Sequence, residues 1–180
     1  RALEEKANLP VDLPHISAAN FHCSPAASMT SEGSFNLGSV TATASFRFSK
    51  WIGQWLSQSG AKLIIGKGGM SAEDYKKHFV PNGAIYLTTV GYGTGALLGR
   101  GVEKVSGVYW HSELGLAQAM WVIDVKQMGP FMVESDLLGN SLFERENRKI
   151  AEGIGKLYEG TKPATLKRYG ETDNRSDELI

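Results

Sequence analysis

The spacing of apolar and polar positions changes several times along this chain, and each change marks an element. Phe48, Trp51, Ile52, Trp55 and Leu56 recur at three- and four-residue spacing, which places them on one face of a helix over residues 46–56. Gly60 stands where a left-handed residue stops such a helix. Residues 61–66 form a short apolar run of the kind that fills a buried strand. A polar helix is predicted over residues 71–79, with Ser71 as N-cap and Asp74 at its third position. Pro81-Asn82-Gly83 reads as a turn and residues 84–90 as a further strand.

The pattern is looser towards the ends. The first 34 residues read as irregular, with Pro10, Pro14, Pro25 and a Ser/Ala/Thr-rich stretch over 24–34, and with short strands at 17–21 and 35–40. Gly91-Tyr92-Gly93-Thr94-Gly95 leads into a short Ala/Leu segment, followed by strands over 102–108, 120–126 and 131–134. Leu138-Gly139-Asn140 turns the chain into a helix over 143–158, with Ile150, Ile154, Leu157 and Tyr158 expected inward. Beyond Gly160 the chain becomes charged and polar, a tail expected to fray. Helices alternate with strands through the middle, which predicts an α/β domain with a partly parallel sheet.

Composition narrows the function. With 180 residues and 42% apolar side chains, the chain can bury one good core. Its 19 basic and 19 acidic residues cancel, which argues against a general binder of nucleic acid or anionic membrane. No apolar run approaches the roughly 20 residues that span a bilayer. Cys23 is the single cysteine, so no internal disulfide can form, and one thiol cannot hold zinc or an iron–sulfur cluster. His15, His22, His78 and His111 are scattered without metal-ligand spacing, so any metal must be held mostly by another chain. A reducing compartment is expected, the cytoplasm or the mitochondrion. Arg1 rather than methionine comes first, so the chain is expected to begin inside a longer one.

The chemistry is expected at Gly66-Lys67-Gly68-Gly69, where a strand runs into a lysine among glycines. A strand ending at Val40, a helix from about Ser45 and the strand over 61–66 read as a right-handed βαβ unit. In such a unit the helix start and the end of the second strand share one sheet edge. Thr41, Thr43, Ser45 and Arg47 should therefore lie near Lys67. A hydroxyl, a guanidinium fork and an ammonium at a helix start suit a carboxylate. Spacing leaves a second reading open, an N-cap threonine beside two unrelated surface cations. Gly91-Tyr92-Gly93-Thr94-Gly95 lacks the lysine of a phosphate loop and reads better as a close-packed strand-to-helix turn. Trp110-His111-Ser112-Glu113 offers a His/Glu pair, read here as structural or interfacial. Cys23 reads as a semi-buried structural thiol, and the Phe48, Trp51, Trp55 stripe as core or subunit interface.

Four ordered segments carry a resemblance. They are residues 60–70 (GAKLIIGKGGM), Trp110-His111-Ser112-Glu113-Leu114-Gly115-Leu116, Trp121-Val122-Ile123-Asp124-Val125-Lys126 with Gly129-Pro130, and Asp136-Leu137-Leu138-Gly139-Asn140. Together they make the chain resemble the β subunit, or C-terminal domain, of class I fumarases and L(+)-tartrate dehydratases. The resemblance implies a swivelling β/β/α domain, a mixed sheet flanked by helices, over residues 1–160, with 161–180 as a polar tail. It implies an iron–sulfur α subunit or N-terminal domain as partner, whose own three cysteines hold a [4Fe-4S] cluster with one iron open to substrate. It also implies a hetero- or homo-oligomer that reversibly hydrates fumarate or dehydrates malate or L-tartrate.

Carried over by residue, the family's G-P-T-T-x-x-R motif falls on residues 41–47. Thr43 matches its first threonine, Arg47 its arginine and Lys67 the active-site lysine, with Gly68 beside it as a substrate contact. Ala44 replaces the second threonine, and Thr41-Ala42 replaces Gly-Pro. Ser24 stands where the family often has glycine before Pro25. The family's R-D-x-x-H segment is expected ahead of Arg1. These departures keep a second reading open, a non-catalytic assembly or carboxylate-binding module.

Overall fold

A computed structural model describes residues 2–91, 93–157, 159 and 160. The elements in chain order are α1 (Leu13–Ile16), β1 (Ala19–Phe21), β2 (Cys23–Met29), β3 (Phe35–Ala42), α2 (Ser49–Ser59) and β4 (Leu63–Gly66). They continue as α3 (Ala72–Asp74), β5 (Ile85–Thr89), α4 (Thr94–Arg100), β6 (Val102–Tyr109), α5 (His111–Leu114), β7 (Met120–Val125), β8 (Phe131–Ser135) and α6 (Leu142–Leu157). The fold is α/β, and its central sheet has the order β1-β4-β5-β8. β1 and β5 run parallel to β4, while β8 closes the edge antiparallel to β5. Two antiparallel pairs, β2–β3 and β6–β7, stand apart from that sheet. The described residues fall into two compact units, divided after Glu144.

The punctuation residues act as their chemistry dictates. Gly60 caps α2 in the left-handed region at φ 66°, donating its N–H to Leu56. Ser71 forms a full capping box with Asp74, whose carboxylate also accepts the Ser49 hydroxyl at 2.8 Å. After Asp74 the helix widens into a π stretch, Tyr75–Phe79, and tightens into a 3-10 turn, Val80–Asn82, that ends at Gly83. That path turns Tyr75 and Phe79 fully inward, 5.2 Å apart ring to ring, where they meet Tyr86 of β5 at ring distances of 6.0 and 6.2 Å. Such aromatic pairs contribute roughly 0.5–1.5 kcal/mol each beyond the area they bury. With Ile52, Leu56 and Ile64 they form the core between α2, the widened helix and the sheet.

Several expectations require correction. The Ser/Ala-rich stretch after Cys23 is not irregular: β2 pairs with β3 through a turn at Thr30–Ser34, where Thr30 N–H donates to the Ser34 carbonyl at 2.8 Å. β3 is therefore a hairpin strand and not the parallel neighbour of β4; that neighbour is β1. The helix expected from about Ser45 opens as a 3-10 turn, Phe46–Phe48, and becomes α-helical only at Ser49. Ile150, Ile154 and Leu157, expected inward, are exposed, because apolar periodicity marks a face without saying what covers it. Tyr158 and residues 161–180 lie outside the described residues. Among the described residues no helix is long and apolar enough to cross a membrane.

Candidate functional site

The site is built where β4 ends. His22, just past β1, donates its backbone N–H to Ile65 at 2.8 Å, and the chain then leaves the sheet as the β2–β3 hairpin. It returns at Thr43, whose N–H donates to the His22 carbonyl at 2.7 Å. Lys67 N–H then donates to the Thr43 carbonyl at 3.0 Å, and Ser45 N–H to the Lys67 carbonyl at 3.3 Å. Ala44 and Lys67 thus form a parallel bridge that prolongs the sheet past the hairpin. Thr43 and Lys67 meet at one sheet edge as expected, by a different route from the one expected.

Glycines shape the loop for specific reasons. Gly68 and Gly69 sit at φ 83° and 110°, where a side chain is strained. A Cβ on Gly66 would strike the Ser45 and Tyr86 hydroxyls, so only glycine allows that approach. Lys67 and Gly68 are left exposed at the tip. Arg47 is exposed as well; its Nε donates to the Ala44 carbonyl at 3.3 Å, and its guanidinium lies 5.6 Å from the Phe48 ring centre. The N-cap threonine reading fails, because Ser45 is the N-cap of the 3-10 turn and Phe48 that of α2, and neither makes a side-chain cap.

Beneath the loop lies a buried polar network that sequence reasoning missed. Ser45 is fully buried, and its oxygen accepts the Tyr86 hydroxyl at 2.7 Å and sits 2.8 Å from His22 Nδ1. Burial lowers the His22 pKa to about 4, so the imidazole is neutral and its Nδ1 can accept the Ser45 proton. On the other side, the Met70 N–H donates to the Tyr75 hydroxyl at 2.8 Å, and that hydroxyl reaches Glu134 Oε1 at 3.5 Å. Glu134 is buried and accepts from the Ser141 hydroxyl at 2.6 Å and the Phe143 N–H at 3.0 Å. Burial pushes its carboxyl upward, with these hydrogen bonds opposing. The one available signal was two polar-tipped aromatics, Tyr75 in the polar stretch 71–79 and Tyr86 in an apolar strand, which need a partner when buried.

The other candidates resolve differently. Gly93 is left-handed at φ 81°, Thr94 Oγ1 donates to the Gly91 carbonyl at 2.9 Å, and α4 packs so closely on β3 that a Gly99 Cβ would come within 2.6 Å of the Gly38 carbonyl. That loop is a turn into a helix as expected, but it is not close-packed: Gly91 and Gly93 are exposed with open space beside them, and the tight approach to the Gly38 carbonyl lies further on, at Gly99 of α4. His111 packs its ring edge-on to Phe35 at 5.7 Å, a structural contact. Burial raises the Cys23 thiol to about 12, which makes it unreactive. Phe48, Trp51 and Trp55 line an apolar cavity of about 350 Å³ with Trp110, Met120 and the core residue Ile52, and Trp55 also packs against the core cluster. Among the described residues no group of three or more His, Cys, Asp or Glu side chains could hold a metal ion.

An α/β domain whose parallel strands end at a glycine-framed lysine matches a known family across most of its length. Residues 1–146 match the family described as Fumarase C-terminus, and the chain belongs to that family. A protein of Methanocaldococcus jannaschii, provisionally named as L(+)-tartrate dehydratase subunit beta, is 33% identical over 155 residues, covering 86% of this chain and 77% of its own. The L(+)-tartrate dehydratase subunit beta of Escherichia coli K12 is 32% identical over 161 residues, covering 88% and 76%. A Geobacillus stearothermophilus protein provisionally named as class I fumarate hydratase is 29% identical over 142 residues, covering 77% of this chain and 26% of its own.

Proposed function

We propose that this chain is the β component of a hydro-lyase that adds or removes water on a four-carbon dicarboxylate, L-tartrate or the fumarate–malate pair. One observation carries the reading: the main-chain bridge sets Thr43 beside Lys67 while leaving the Lys67 ammonium exposed at the sheet edge. In this reading Lys67 binds a substrate carboxylate through its three donors, and Arg47 supplies a planar fork for carboxylate oxygens. The Thr43 hydroxyl orients a substrate oxygen, and the exposed Gly68 lets the ligand approach the backbone. The names of the relatives supply the reaction class and the expectation of an α partner.

An iron–sulfur cluster is bound through several cysteine thiolates. The residues of this chain do not fit one, since Cys23 stands alone and burial holds its thiol protonated. In this reading a [4Fe-4S] group would be held by the partner subunit or domain. Ala44 favours a second reading, a carboxylate-binding module without turnover. It bridges Lys67 directly, so the hydroxyl it lacks is missing from the site itself. Assaying the chain alone and with its α partner on fumarate, malate and L-tartrate separates the two. Turnover only with the partner supports the enzyme; binding without turnover in both states supports the module.

A further inference from the structure

We infer that Tyr75 and Tyr86 are positioning residues for Lys67, gripping the two ends of its loop from inside the core. This rests on the reading of Lys67 as a carboxylate-binding residue. The Tyr75 hydroxyl takes the Met70 amide at 2.8 Å and lies 2.9 Å from where a Cβ on Gly69 would sit. The Tyr86 hydroxyl donates to Ser45, whose own N–H holds the Lys67 carbonyl, and its oxygen lies 3.5 Å from that carbonyl. Between the two grips stand Gly68 and Gly69, which on their own leave the backbone free to choose among conformations.

Both tyrosines are fully buried and too deep to reach a ligand at the loop tip, so they act only through the backbone. Neither ring needs its hydroxyl to pack, since Tyr75, Phe79 and Tyr86 stack as aromatic bodies. The hydroxyls are turned to the loop. Glu134 backs Tyr75, and His22 backs Ser45, so each grip is anchored to a second element. A catalytic lysine on an ungripped glycine loop loses the placement that binding a small dicarboxylate demands.

The test uses the full chain in complex with its α partner. Steady-state constants are measured for wild type, Tyr75→Phe, Tyr86→Phe and Lys67→Ala, with thermal melting of each. The tyrosine variants are expected to fold and to raise KM for the dicarboxylate by about threefold or more, with Lys67→Ala more severely impaired. Unchanged KM in both tyrosine variants, with Lys67→Ala impaired, overturns the positioning role alone. So does a fall in kcat that only tracks lost folded protein. Wild-type kinetics in Lys67→Ala overturn the underlying reading. Should Tyr86→Phe not fold, Ser45→Ala removes the same contact and is judged by the same KM criterion.

Discussion

The backbone N–H of Lys67 donates to the carbonyl of Thr43 at 3.0 Å, and this bond joins two segments that are 24 residues apart in the chain. It makes the loop after β4 an extension of the sheet rather than a loose tip. Thr43 and Lys67 are thus carried on paired backbone, which holds them more precisely than a free loop does.

The glycines of that loop are not interchangeable. Gly69 at φ 110° faces Tyr75 and Glu134, while Gly68 at φ 83° faces open space. Gly69→Ala, with a clash added to the strain, is expected to cost about 2–3 kcal/mol of unfolding free energy, and Gly68→Ala, with the strain alone, about 1 kcal/mol. Urea titration of both variants checks the order, and a larger loss at Gly68 contradicts it.

Half-buried His22 makes stability depend on pH. Its folded pKa, about 4, lies below the ordinary 6.5, so the unfolded chain takes up a proton first as pH falls. Its contribution is complete above 6.5 and is lost as pH drops through 6.5 towards 4, up to roughly 3 kcal/mol. Glu134, raised by burial, acts in the opposite sense, losing its contribution as pH rises through its raised value. Comparing wild type with His22→Gln isolates the histidine: the difference in urea midpoint should shift in favour of the variant between about pH 7 and about pH 5. A difference independent of pH contradicts the assignment.

The capping box at Ser71 starts the helix that carries Tyr75 inward. Ser71→Ala should lower stability by about 1 kcal/mol, because the Asp74 N–H loses its acceptor. Equilibrium unfolding measures it, and no change shows that Asp74 alone holds the turn.

What was legible in the sequence was mostly local. Gly60, the strand ending at Gly66 and the Ser71–Asp74 cap depend on neighbours within a few residues, and all three stand where the pattern put them. β2 was hidden because Ser, Ala and Pro dominate it, and only its pairing with β3 makes it a strand. The meeting of Thr43 with Lys67 was anticipated through β3, yet the parallel partner is β1, three residues long and followed by the whole hairpin. No periodicity reveals an excursion that leaves a sheet and rejoins it. Tyr75 and Tyr86 read as ordinary core aromatics, and the depth of Glu134 is set by contacts with Ser141 and Phe143 that no local pattern encodes.

The account rests on Lys67 as a substrate-binding cation, and replacing it tests that most directly. Lys67→Ala, assembled with the α partner and assayed on L-tartrate and on fumarate, should fold and assemble like wild type yet lose about 100-fold or more in kcat/KM, the scale of a lost charge-assisted contact at a reacting group. Full activity in that variant contradicts the proposed site.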